Sequence, residues 1–165
     1  METIECIKTR RSVRQYLDKP VPKEIIEELA DCGRLAPTAR NKQPWEFIAV
    51  TGKETLKEIS ELATYGKFIK DAALCIIVCG DKSNKHLVED GCIAAENILL
   101  AAHAKGLGGC WVAGWQREYN PELMKLLGIP EAMEIVAILS IGYPLRVQGM
   151  LKKRELKEVL HWEKF

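Results

Sequence analysis

The sequence predicts a β-sheet with helices packed on both of its faces, and three observations lead to that fold class. Helix-like and strand-like segments alternate along all 165 residues. The central strand candidates, 74–79 and 135–141, are apolar almost throughout, which is typical of strands covered on both sides. The longest helical segment, 87–105, has apolar residues at helical spacing. This pattern alone fits both a Rossmann-like parallel sheet and an α+β sheet.

The individual elements follow from hydrophobic periodicity and from helix-terminating residues. Apolar residues three or four positions apart indicate helices, and short apolar runs indicate strands. Pro22 and Pro121 suit the first turn of a helix, whereas Gly106 and Gly128 suit the position just after one. The predicted helices are 2–9, 22–35, 54–63, 87–105 and 121–127, and the predicted strands are 47–50, 74–79, 109–112 and 135–141, with a polar loop at 38–44.

Composition narrows the class of protein. A length of 165 residues favours one domain over 1–165, and 24 basic against 23 acidic residues give a net charge of +1. That balance provides no electrostatic reason to expect nucleic acid or a membrane surface as partner. No run reaches the roughly 18 apolar residues of a membrane span. The acidic N-terminus lacks the features of a signal peptide, so we expect a cytoplasmic protein.

The six cysteines show no metal or redox motif. No two of them have C-x-x-C spacing, and most lie in apolar runs. We expect unpaired, mostly buried thiols and no metal site.

Familiar nucleotide-binding loops are missing, but one basic cluster fits a phosphate. The glycines at 106–109 follow a helix and are misspaced for a Rossmann loop, and no Walker A sequence occurs. Arg10-Arg11-Ser12-Val13-Arg14 groups three guanidiniums and a hydroxyl, which suit phosphate oxygens. Cations at the C-terminus of a helix would explain the same cluster without any ligand.

Four stretches together resemble the FMN-dependent nitroreductase family, in matching order over essentially the whole chain. They are RRSVRQY at 10–16, APTARNKQPWEF at 36–47, GLGGCW at 106–111 followed by VAG, and IGYP at 141–144 followed by KKR at 152–154. The second stretch is the most specific one. It departs from the family pattern at Thr38, where serine is commoner and the hydroxyl is kept.

The resemblance implies an α+β fold with a mainly antiparallel central sheet flanked by helices, in an intertwined homodimer. The C-terminal tail, about 145–165, would pack on the partner subunit, although folding back on its own chain is the alternative for so apolar a segment. FMN would lie in the subunit interface. The implied cofactor-binding residues are Arg10, Ser12 and Arg14 with Lys152 and Arg154 toward the phosphate, Ala113 and Gly114 toward flavin N5 and O4, and Thr38 and Asn41 from the second subunit. Arg11, Pro37 and Val112 are expected to belong to the same cofactor-binding set.

By the same resemblance, the protein would transfer hydride from NAD(P)H through flavin N5 to a nitroaromatic, a quinone or a similar flat acceptor. One site serving both half-reactions predicts ping-pong kinetics. No side chain is nominated as catalytic, because the flavin performs the chemistry. Alternatives are reductive dehalogenation, fragmentation of the flavin, or flavin binding without catalysis. Glu96 and Asn97 interrupt an apolar helix, so we expect them to meet a cation or another helix at the dimer interface.

Overall fold

The computed structural model describes residues 1–146, 149 and 151–165. Within those residues the chain forms five α-helices and four β-strands. The helices are α1 (Thr3–Thr9), α2 (Lys23–Arg34), α3 (Lys53–Leu62), α4 (Leu87–Ala104) and α5 (Asn120–Leu127), and the strands are β1 (Trp45–Val50), β2 (Leu74–Asp81), β3 (Gly108–Gly114) and β4 (Met133–Gly142). Short 3₁₀ helices occupy Ala39–Asn41, Ile69–Asp71 and Leu156–Glu158.

The four strands of the described chain form one sheet in the order β1-β2-β4-β3. All three neighbouring pairs are antiparallel. The predicted α+β fold with a mainly antiparallel sheet is therefore confirmed, and the parallel Rossmann-like alternative is excluded. β2 and β4 lie in the centre, while β1 and β3 are the outer strands.

Both faces of the sheet are covered, as the apolar central strands predicted. Residues 74–80 of β2 are all buried. On one face Ile76 and Leu139 pack with Leu29 of α2 and Ile98 of α4. The other face packs against α3 and α5, with buried residues that include Cys75, Ile77, Leu56, Ile59 and Leu123. Burial of apolar side chains on both sides supplies the main stabilisation of such a sheet.

The predicted helices and strands are all present, and the differences lie at their ends. β1 and β4 each begin two residues earlier than predicted, because Trp45 pairs with Gly80 and Met133 pairs with Asp81. Each extension includes a glutamate, Glu46 in β1 and Glu134 in β4. Apolar periodicity does not assign such a polar residue to a strand, although its backbone continues the ladder. Gly106 follows α4 with a φ of +78°, as expected for a terminating glycine.

The six cysteines are free thiols, as predicted, and four of them are buried. Burial raises the pKa of the Cys75 thiol to about 12, so it behaves as an apolar core residue. Among the described helices, none combines the length and the apolar character needed to cross a membrane.

Candidate functional site

The basic segment that follows α1 is fixed along the outer edge of β3 by its backbone. The N–H of Val13 donates to the Gly109 carbonyl at 2.9 Å, and Ser12 forms a parallel bridge with the same glycine. The buried Tyr16 hydroxyl donates to the Val13 carbonyl at 2.6 Å and lies 2.7 Å from Ser140 Oγ on β4. Burial holds the pKa of Tyr16 well above its ordinary value, so this hydroxyl stays protonated and serves as a structural donor.

Three of the predicted phosphate-binding residues, Arg10, Ser12 and Arg14, belong to the segment that the Ser12–Gly109 bridge fixes next to Cys110 of β3. Burial raises the pKa of the Cys110 thiol, while Arg14, the Ser12 hydroxyl and Arg10 act in the opposite direction. The Arg14 guanidinium carbon also lies 5.8 Å from the centre of the Phe68 ring. The local fold therefore holds a short segment with two cations and a hydroxyl along the edge strand.

Arg10 and Arg11 have different partners. Arg10 Nε lies 3.2 Å from Glu96 Oε1 on α4, with both side chains partly exposed. Neither terminal nitrogen of Arg10 has a hydrogen-bond partner among the described residues. Arg11 instead donates from Nη1 to the carbonyls of Lys8 and Arg10 at 2.9 and 2.6 Å. Arg11 thus acts as the cation at the C-terminal end of α1. Arg10 is held only at Nε, and its two terminal nitrogens have no partner among the described residues.

β3 carries a bulge at the predicted flavin-contacting residues. Its pairing with β4 is interrupted between Trp111 and Gly114, which leaves Val112 and Ala113 out of the regular ladder. Ala113 has a φ of +33°, a conformation that costs a non-glycine residue about 1–3 kcal/mol. A Cβ at Gly114 would lie 2.7 Å from Ala137 Cα, so only glycine fits there. The bulge redirects the backbone at the end of β3.

The first residue of α5 holds the end of that bulge. Asn120 Nδ2 donates to the Gly114 carbonyl at 2.7 Å and lies 3.2 Å from Glu134 Oε1. The side chain is buried, with 4% of Asn120 exposed, and its Oδ1 has no partner in the described part of the chain. The Asn120 amide thus joins α5 to the edge strand.

A second link fixes the loop between α2 and β1. The Thr38 hydroxyl donates to Asp90 Oδ2 at 2.7 Å, and the Ala39 N–H lies 3.2 Å from Asp90 Oδ1. The Gln43 N–H donates to the Thr38 hydroxyl at 3.1 Å. Asp90 is buried in the first turn of α4, so this carboxylate provides a fixed anchor for the loop.

The loop itself faces solvent in a single chain. Pro37 and Asn41 are exposed, and Thr38 is half-buried. Arg40, Asn41 and Gln43 all have positive φ, in the range +48° to +55°. Because three of four consecutive residues have this uncommon conformation, the loop is tightly curved, and its shape depends on the contacts with Asp90. Contact of this loop with a second subunit stays a prediction.

Beyond Leu145, whose N–H donates to the Gln15 carbonyl at 2.9 Å, the C-terminal tail makes its described polar contacts within itself. Arg154 donates to the Glu158 carbonyl, and the Glu158 carboxylate accepts from the Glu155 N–H at 2.7 Å. Lys152 is exposed, and so is Trp162 at 80%. One chain therefore does not bring Lys152 and Arg154 onto the arginine cluster, and their approach to a shared phosphate stays a prediction about two chains. The tail residues Val147, Gln148 and Met150 lie outside the described residues.

The polar side chains of His103, Glu96 and Asn97 have structural partners. His103 Nε2 lies 2.9 Å from Thr9 Oγ1, and burial, followed by Arg10 and Arg11, lowers the pKa of His103. Asn97 donates to the Cys32 carbonyl at 3.1 Å. Glu96 and Asn97 thus meet a cation and another helix inside one chain. The described residues contain no group of three or more side chains that could hold a metal ion.

Periodicity did not single out Asp90, Phe68 or Asn120. Asp90 lies one turn before Ala94 and two turns before Ile98, both buried, so its place on the apolar stripe of α4 was the available signal. Phe68 and Asn120 act through contacts that no local pattern encodes. Glu96 was noticed as a charge in an apolar helix, and its partner Arg10 came only with the fold.

Comparison with known proteins decides the family. The family model described as "Nitroreductase family" matches residues 7–66 and 61–143. The chain belongs to the nitroreductase family. A relative from Methanothermobacter thermautotrophicus, provisionally named as an NADH dehydrogenase/NAD(P)H nitroreductase, is 41% identical over 154 residues, which cover 90% of this chain and 81% of that protein. A relative of the same name from Archaeoglobus fulgidus is 42% identical over 149 residues, covering 87% and 86%.

Solved nitroreductase structures have the same architecture. The FMN-dependent nitroreductase of Clostridium difficile R20291 superposes with a TM-score of 0.93 at 34% identity, covering 98% of this chain and 99% of that one. The nitroreductase fold predicted from the four sequence stretches is thereby confirmed over nearly the full length.

Proposed function

We propose that this nitroreductase-family chain is an FMN-dependent oxidoreductase that takes electrons from NAD(P)H and passes them to a flat, electron-poor acceptor. The observation that carries the proposal is the position of segment 10–14, which is bonded to Gly109 on the same edge strand as the bulge at 112–114. The candidate phosphate-binding groups thus lie along the strand whose backbone is redirected. The names of the relatives, NAD(P)H nitroreductase and FMN-dependent nitroreductase, support the same donor and cofactor.

The donor set fits the phosphate end of FMN. Arg10 is held at Nε by Glu96, and its two terminal nitrogens form a planar fork that suits phosphate oxygens. Ser12 adds a hydroxyl and Arg14 a second guanidinium. Hydrogen bonds between ionised partners are roughly twice as strong as neutral ones, so these groups would dominate the affinity. Arg11 would add charge while its Nη1 stays on the end of α1.

The bulge fits the ring end. A bulge leaves backbone groups outside the ladder, where a planar ligand can reach them, and the absence of a Cβ at Gly114 allows the bulge to lie close against Ala137 of β4. Val112, Ala113 and Gly114 would hold the N5 and O4 side of the isoalloxazine. When bound, FMN would supply hydride transfer, accepting from NAD(P)H and delivering to nitroaromatics, quinones or related compounds.

A homodimer would complete the site. Leu156, Trp162 and Phe165 are exposed apolar residues in one short tail, with exposed fractions of 69%, 80% and 107%. Such a surface is typical of an interface, so the tail would pack on the partner subunit and bring Lys152 and Arg154 toward the phosphate. Pro37, Thr38 and Asn41 would contact the ring from the second subunit. Residues 1–165 would form one flavin-binding domain, and a cytoplasmic location stays a prediction.

A visible spectrum of the purified protein, recorded before and after NADH and NADPH, tests the proposal. We expect a yellow protein whose flavin absorbance is bleached anaerobically by one or both donors and returns on addition of a nitroaromatic or quinone. Parallel double-reciprocal lines would support ping-pong transfer. A colourless protein that takes up no FMN would contradict the proposal. A yellow protein that neither donor bleaches would indicate flavin binding without this activity, and turnover restricted to halogenated phenols would indicate dehalogenation.

A further inference from the structure

We propose that Asn120 is a positioning residue that sets the backbone of the β3 bulge for the flavin ring and thereby tunes the reduction potential of bound FMN. The inference rests on the proposed function, because it concerns the ring end of the same site. Asn120 itself lies behind the bulge, at the start of α5. It would act through the Gly114 peptide and not by touching the ring.

The contact is specific to an amide. Both hydrogens of Asn120 Nδ2 have acceptors, the Gly114 carbonyl at 2.7 Å and Glu134 Oε1 at 3.2 Å. An aspartate of the same shape would direct an oxygen at two acceptors and leave the buried Gly114 carbonyl without a donor. Asn120 Oδ1 has no partner among the described residues, so the donor side of the amide is what the fold uses.

The backbone at this point needs such a restraint. Ala113 is held at a φ of +33°, a conformation that persists only when the surroundings enforce it. Ala137 limits Gly114 from one side, since its Cα lies 2.7 Å from the place a Cβ would take. Asn120 fixes the Gly114 carbonyl from the α5 side. Without that hydrogen bond the bulge can relax, and its N–H groups lose their fixed direction.

The first experiment needs no flavin. Hydrogen exchange over residues 110–116 is measured in the apoprotein for wild type, Asn120→Asp and Asn120→Ala. We expect at least tenfold faster exchange in both variants, because the bulge opens more often when its anchor is lost. Asn97→Asp is the matched control, since Asn97 also donates to a backbone carbonyl, that of Cys32 at 3.1 Å, away from the bulge. Equal exchange in wild type and both Asn120 variants would overturn the inference.

The second experiment uses the FMN-loaded protein. Protein donors near N5 and O4 favour the more electron-rich reduced ring, so loss of their alignment lowers the relative affinity for reduced FMN. We expect a tenfold loss in that ratio, which is about 30 mV for a two-electron couple, in Asn120→Ala and not in Asn97→Asp. A general loss of stability would lower the urea midpoint without moving the potential. An unchanged potential in a variant that retains FMN would overturn the inference. A wild-type protein that binds no FMN would overturn the proposed function, and hydrogen exchange alone would then test whether Asn120 restrains the bulge.

Discussion

The carboxylate of Asp90 and the hydroxyl of Thr38 lie 2.7 Å apart, although 52 positions separate them in the chain. A hydroxyl has one hydrogen to donate and two lone pairs. Thr38 gives its hydrogen to Asp90 and accepts from the Gln43 N–H, so one lone pair remains for any further partner. The loop that includes Asn41 is therefore shaped from inside its own chain.

Asp90→Asn should destabilise the protein by about 1–3 kcal/mol. The replacement amide directs hydrogens at donors, so either the Thr38 hydroxyl or the Ala39 N–H loses its buried acceptor. Urea unfolding measures the effect. Glu89→Gln is the matched control, because Glu89 is an exposed acid in the same first turn of α4. It should change the free energy of unfolding by less than about 0.5 kcal/mol. Equal effects of the two substitutions would contradict the anchoring role.

Arg10→Ala should weaken FMN binding by about 1.5–3 kcal/mol, the range for hydrogen bonds to charged groups. Arg10→Lys should also weaken it, because one ammonium cannot reproduce the Nε contact with Glu96 and a fork toward phosphate at once. Fluorescence titration of the apoprotein with FMN measures both variants. Arg34→Ala removes the same charge from a surface pair with Asp31 and should leave the affinity unchanged. Wild-type affinity in Arg10→Ala would mean that the phosphate binds elsewhere.

Gly114→Ala should destabilise the sheet by about 1–3 kcal/mol, the range for overpacking a close contact. The new methyl group would lie 2.7 Å from both the Ala137 Cα and the Val136 carbonyl oxygen, and backbone atoms have little freedom to move aside. Thermal or urea unfolding provides the measurement. Gly149→Ala makes the same chemical change at a position where the described residues place no atom within 4 Å, and it should have little effect. A neutral Gly114→Ala would show that β3 and β4 are less closely apposed than described.

Trp162→Ser should shift the proposed homodimer toward monomer. An 80% exposed tryptophan in a tail of exposed apolar residues would lose most of its contact area on replacement. Light scattering coupled to size-exclusion chromatography, over a dilution series, measures the change. Lys157→Ser removes an exposed polar residue from the same tail and serves as the control. Dissociation at the same protein concentration in wild type and Trp162→Ser would indicate that the tail packs on its own chain and not on a partner subunit.

His103 should make the protein less stable at mildly acidic pH. Burial, Arg10 and Arg11 lower its pKa in the folded chain, with Glu5 opposing, while the unfolded chain keeps a value of about 6.5. The unfolded state therefore binds the proton more tightly. Above about pH 6.5 His103 is neutral in both states and the free energy of unfolding is unaffected by its titration. Below that pH the unfolded state takes up the proton first, so the free energy of unfolding declines until the pH has fallen through the lower pKa of the folded state. His103→Gln should flatten this part of the curve of unfolding free energy against pH, and an unchanged curve would contradict the assignment.

The sequence predicted element types well because apolar periodicity records which faces are buried. It predicted the family because the stretch from Ala36 to Phe47 is specific. It could not provide the partners of Arg10 or Asn120, since Glu96 and Gly114 reach them only through the tertiary fold. The strained φ of Ala113 was equally hidden, because a positive φ at alanine has no sequence signal such as glycine provides. Roles assigned to the tail concern a second chain and stay predictions.

Backbone hydrogen bonds join residues 13–17 to the C-terminal half of the chain, and they constrain when the N-terminal segment can fold during synthesis. Val13 cannot form its backbone hydrogen bond until Gly109 has been translated, and Leu17 cannot form its bond until Tyr143 has been translated. Residues 13–17 can therefore reach their final position only after most of the chain has been synthesised. Contacts this distant in sequence delay folding, because the intervening chain must close a large loop. A nascent chain released before its final strand would carry the arginines and Gly109 but would lack β4, the strand with which β3 pairs. The edge that holds the arginine segment is therefore completed only by the last strand.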